Sequence, residues 1–133
     1  MKWLVIAMLV IAGCAKKSGP CEGARQIANE AITTAQIAIA TQVEASLVVE
    51  AKLAQQKVDL AGAPAPPELS RKRDEASVKT AELKLRIATL DHWRATLGAN
   101  TPAPLSPTPE RDEPAEMTTA RTLMIAYAAE CAP

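Results

Sequence analysis

Phenylalanine is missing from this 133-residue chain, whose only aromatic side chains are two Trp and one Tyr. Strands draw on aromatic and β-branched residues, so their scarcity beside abundant Ala disfavours a sheet and favours helices packed through thin seams. The five glycines form no cluster of the kind that cradles phosphate. A single histidine, His92, lies between Asp91 and Trp93. Consecutive helix positions point in different directions, so these three do not converge on one site. Trp93 reads as a packing residue and His92 as an exposed one. Without a metal-ligand cluster or a nucleophile beside a base, no catalytic residue, metal or cofactor is expected. The chain reads as a non-enzyme with no small-molecule substrate. Excess charge of either sign is also missing, since 15 Lys and Arg balance 15 Asp and Glu. That balance argues against a nucleic-acid partner.

What is present begins at the N-terminus. Met1-Lys2 is short and positive, Trp3 to Ile11 is an unbroken apolar run, and Ala12-Gly13 are small. This is the three-part layout of a secretory signal peptide over residues 1–13. The run is too short for a membrane span, which needs roughly 20 apolar residues. Lys16 and Lys17 stop its extension.

The end of that run, Ile11-Ala12-Gly13-Cys14, resembles the lipobox of bacterial lipoproteins, with Ile11 where leucine is commonest. The resemblance is confined to the signal. It implies cleavage before Cys14, a diacylglycerol on the Cys14 sulfur and an acylated new amino terminus, with palmitate-type chains. Two or three such chains anchor stably where one binds only marginally. The implied place is the cell envelope, with membrane lipid as a partner. Ala15, rather than Asp, after the cysteine implies the periplasmic face of the outer membrane if the cell is Gram-negative. With Cys14 acylated, Cys21 and Cys131 are the two remaining cysteines. In an exported protein they are candidates for a disulfide within one chain, a bridge between two chains, or free thiols.

Residues 14–19 read as a tether. Gly19-Pro20-Cys21-Glu22 is then suited to start a helix, with Pro at its first position. Two stripes run along this first helix to about Ala61. Ala28, Ala31, Ala35, Ala38, Gln42, Ala45 and Val49 follow a 3-4 spacing, while Ile32, Ile39, Ser46, Leu53 and Leu60 recur every seven. The prolines of Gly62 to Pro67 break the helix, and so short a break is an interhelical turn. A second helix follows to Leu97, with Leu69, Ala76, Leu83, Leu90 and Leu97 again every seven and Gly98 placed to cap its end. Thr80 and Ile87 fill part of the intervening positions, and Arg73 and Arg94 intrude on them.

Matching periods predict that residues 20–97 form a long antiparallel hairpin of coiled-coil type, with the turn at 62–67. The charges of its helices, about −2 and about +2 by side-chain count, suit each other. Arg71-Lys72-Arg73-Asp74-Glu75 then reads as a solvated tip rather than a basic patch. Residues 98–114 hold prolines at 102, 104, 107 and 109 and form a semi-rigid connector of extended geometry. A third helix over 115–133 carries Met117, Ala120, Met124, Tyr127 and Cys131 on one face, widened by Leu123 and Ala128. The fold expected is all-α, with this helix packed on the hairpin and descending it so that Cys131 reaches Cys21.

Such a molecule would act by packing, as a membrane-anchored adaptor toward another envelope protein or toward itself. A phage-type lysis lipoprotein of the outer-membrane spanin kind also combines a lipobox with proline-rich sequence and helical partners, and is the alternative reading. A self-associating envelope spacer is the second alternative. In that case two hairpins join through the apolar face for which the third helix competes.

Overall fold

The structure, a computed structural model, describes residues 2–99, 101 and 104–131, with side chains from residue 21 onward. Among these residues there are three helices and no strand: α1, Lys2–Asp59; α2, Pro67–Gly98; and α3, Ala115–Cys131. The fold is all-α, as composition and periodicity predict, with α1 packing against both other helices. The lipobox side chains Ile11 to Cys14 and the lysines at 16 and 17 lie outside the described side chains.

Two boundaries differ from expectation. α1 does not start at Pro20 but runs from Lys2 through the stretch read as a tether. Ala15, Lys16 and Lys17 are good helix formers, and the helix passes through Pro20 despite the lost hydrogen bond and the crowding of the preceding turn, a cost of about 3 kcal/mol. Gly98 is the last residue of α2 rather than the residue beyond it. The helical pattern continues past it, with Ala99 N–H donating to Ala95 C=O at 3.0 Å.

α1 ends ahead of the prolines. Ala61 and Gly62 adopt positive φ, 51° and 87°, and the tight bonds Leu60 N to Lys57 O, Ala61 N to Val58 O and Ala63 N to Leu60 O close the turn. Leu60 therefore lies beyond the last helical residue and is only half-buried, so the sevenfold series on α1 ends at Leu53. α2 starts cleanly: Pro66 C=O accepts from Leu69 N–H at 3.0 Å, and Pro67 occupies a first-turn position where a missing N–H costs nothing.

The chain divides into two compact units. One comprises Gln36–Asp91, and the other Met1–Ala35 with His92–Pro133. The first is a two-helix hairpin, in which Ile39, Ser46 and Leu53 of α1 and Leu69, Thr80, Leu83 and Leu90 of α2 are buried, with Ser46 meeting Thr80. Ala76 and Ile87 are half-buried. The second is a three-helix unit. Ala28, Ile32 and Ala35 of α1, Trp93 and Leu97 of α2, and Met117, Ala120, Met124 and Tyr127 of α3 form its core. Each large apolar side chain buried in this way contributes about 1.5–3 kcal/mol.

Direction within the three-helix unit follows from three contacts. Arg94 donates to Asn29 Oδ1 at 2.7 Å and to Thr33 Oγ1 at 2.8 Å, which sets neighbouring Trp93 level with residues 29–33 of α1. Arg121 lies over the Trp93 ring, and Cys131 is joined to Cys21 by a disulfide. From Arg121 to Cys131, α3 thus travels back toward residue 21, antiparallel to α1. The Cys21–Cys131 Cα separation is 5.4 Å, within the ordinary range for a bridge.

Candidate docking groove

In the two-helix unit the seam is polar at its middle. Ser46 Oγ and Thr80 Oγ1 lie 2.6 Å apart, and Thr80 Oγ1 is 2.8 Å from Glu50 Oε2. With Thr80 donating to the carboxylate, Ser46 donates to Thr80, and each buried hydroxyl is satisfied. A polar pair at one level of an apolar seam disfavours any register that would separate the two hydroxyls. Gln36 Nε2, donating to Asp91 Oδ1 at 2.6 Å, holds the same register at the other end of the unit.

To one side of this seam lies an open groove of about 590 Å³. Its α1 wall is Gln42, Ala45, Ser46, Val49 and Leu53, with no charge; its α2 wall is Lys72, Glu75, Ala76 and Lys79. Val49 is 48% exposed, although it belongs to the same stripe of α1 whose earlier members Ala28 and Ala35 are buried in the three-helix unit. The opposite side of the hairpin is polar, a recess of Glu50, Ala54, Ser70, Arg73, Asp74 and Ser77. Arg73, an intruder in the sevenfold pattern, opens onto that recess, half-buried. The second intruder, Arg94, is absorbed by Asn29 and Thr33 of α1.

The three-helix unit holds a cluster that sequence periodicity missed. Arg121, on the buried face of α3, grips both oxygens of Glu113, Nη2 to Oε1 at 2.6 Å and Nε to Oε2 at 3.2 Å. Its Nη1 donates to Ser106 C=O at 3.3 Å, and its guanidinium carbon is 5.3 Å from the Trp93 ring centroid. The side chains are 6% and 1% exposed. Burial pushes the Glu113 carboxyl up, but hydrogen bonds from Arg121 and Thr118 and the Arg121 charge outweigh it, leaving it below its usual value. The hydrogen bond to Glu113 raises the Arg121 guanidinium, against burial. This is a structural clamp that fastens the proline-rich connector to α3 and α2.

Trp93 is buried and His92 exposed. No group of three His, Cys, Asp or Glu able to hold a metal occurs among the described residues. Of the seam residues, Ile32, Ile39, Leu53, Leu69, Leu83, Leu90 and Leu97 are buried. Among the described residues Cys21–Asp59 of α1 is long and apolar enough to cross a membrane, yet its buried residues Ala28, Ile32, Ala35 and Ile39 serve packing in the units above. Comparison with protein-family models, with curated proteins and with solved structures finds no match.

Proposed function

We propose that the protein is an acyl-anchored helical lipoprotein of the cell envelope that works by packing against a protein partner, as an adaptor rather than an enzyme. The anchor rests on the lipobox-like Ile11-Ala12-Gly13-Cys14. The observation that carries the adaptor reading is the groove of the two-helix unit, lined by Ala45, Val49 and Leu53, where Val49 stays 48% exposed. An apolar face framed by charged side chains is the usual mark of a protein interaction site. The disulfide favours export, because such bridges persist in oxidising compartments.

Intact mass of the membrane-extracted protein, with and without reductant, tests the anchor. The expected mass is that of Cys14 to Pro133 plus the acyl groups, gaining two hydrogens on reduction. An uncleaved, unmodified chain would overturn the lipoprotein reading and leave the helical fold untouched.

A further inference from the structure

We infer that the groove of the two-helix unit is the seat for a second copy of this chain, joined through a twofold axis into an antiparallel four-helix bundle. The inference deepens the adaptor reading by naming its partner, and rests on it only in taking the chain to work by packing.

The register of the hairpin carries the argument. Ser46 is level with Thr80, and Gln36 with Asp91, so Val49 on α1 is level with Ser77 on α2. Ser77 is the midpoint of Glu75 and Lys79, and also of Lys72 and Glu82, four exposed residues along one edge of α2. A twofold axis lying in the interface and crossing both helices at this level runs each helix antiparallel to its own copy. It then sets Glu75 against Lys79 of the second copy, and Lys72 against Glu82 of the second copy. Every charge on the α2 edge meets its opposite, twice over by symmetry. On α1 the same axis sets Val49 against Val49 of the second copy, and the uncharged wall packs on itself.

The intrahelical pairs Lys72–Glu68 at 3.3 Å and Arg71–Glu75 at 3.7 Å are exposed, and such pairs hold little energy, so both side chains remain available. Residues 36–91 carry eight basic and eight acidic side chains, so two copies meet without net repulsion. Size fits as well. A face about 36 Å long and about 20 Å wide, from helical rise and diameter, offers roughly 700 Å² per copy, near the ~800 Å² per partner of a stable interface.

The test uses the full-length chain in the membranes of expressing cells and after detergent extraction. Val49→Cys should cross-link to a dimer under mild oxidation, while Val48→Cys, next in sequence but on another side of α1, should not. In sedimentation of the extracted protein, Glu75→Lys or Lys79→Glu alone should weaken the dimer at least about tenfold, and the double exchange should restore it to within about threefold of the parent. A monomer at every concentration up to about 100 µM overturns the inference. So does equal cross-linking at 48 and 49, or a double exchange that stays as weak as the singles. Intact mass reports the acyl anchor separately, so failure of one does not pass for failure of the other.

Discussion

Arg121 and Glu113, eight residues apart, form a two-pronged ion pair that is almost wholly buried, with the Trp93 ring beneath the guanidinium. Removing one partner strands the other charge away from water. Glu113→Gln is therefore expected to lower the unfolding free energy by about 3–5 kcal/mol. Exchanging both, as Glu113→Gln with Arg121→Met, should cost less than the two single changes added together, because neither leaves a charge alone. Urea unfolding followed by circular dichroism measures all three, and strictly additive losses would show that the pair is not coupled.

The same pair gives a pH dependence. The Glu113 carboxyl is held below its ordinary value in the folded chain, so folding favours its ionised form. The stabilisation is complete above the ordinary glutamate range, about pH 4.5, and is lost as pH falls through the depressed folded value. The gap in urea midpoint between the parent and Glu113→Gln should thus be widest near neutrality and begin to narrow as pH falls below about 4.5. A gap independent of pH between about 3 and 7 would remove Glu113 as the titrating group.

Cys21 and Cys131 lie 110 residues apart in sequence. In the chain-entropy treatment, closing so long a loop stabilises by up to about 4.7 kcal/mol, with 2–4 kcal/mol typical of measured bridges. Replacing both cysteines by serine should lower stability within that range and raise amide exchange chiefly in the last turns of α3. Unchanged exchange there would mean that packing of Met124 and Tyr127 alone holds the helix end.

Ser46 and Thr80 call for a different experiment. Thr80→Val leaves buried Ser46 without its acceptor and should destabilise by about 1–3 kcal/mol, whereas Ser46→Ala with Thr80→Val removes both polar groups and should recover most of that loss. Unfolding midpoints decide it. A double variant no better than the single would show that the Thr80–Glu50 bond, not the Ser46–Thr80 pair, dominates.

Much of the fold was legible because sevenfold spacing survives wherever helices pair. Ile32, Ile39, Leu83 and Leu90 are buried for the reason that makes them recur: one stripe of a helix faces its neighbour. Leu60 departs from the series because left-handed turns at Ala61 and Gly62 end α1 before the prolines can. The Arg121 clamp escaped notice because apolar periodicity counts only apolar residues. A signal was present, since 117, 121, 124 and 128 is itself a helical series and places an arginine on the buried face of α3. Its partner Glu113 stands before the helix begins, where no periodicity reaches. The exposure of Val49 beside the burial of Ala35 was also illegible, because the two stand in equivalent positions of one stripe, and the sequence does not show that Ala35 belongs to a three-helix core and Val49 to a two-helix one.

The bridge between Cys21 and Cys131 also changes what it means to cut this molecule. Residues 106–110 of the connector are exposed, as loop sites of proteolytic nicking are. A peptide bond broken there would yield two polypeptides but still one covalent particle, because the fragment bearing α3 stays tied to α1 through sulfur. Shedding α3 requires two separate chemical events, a hydrolysis and a reduction, and neither alone releases it.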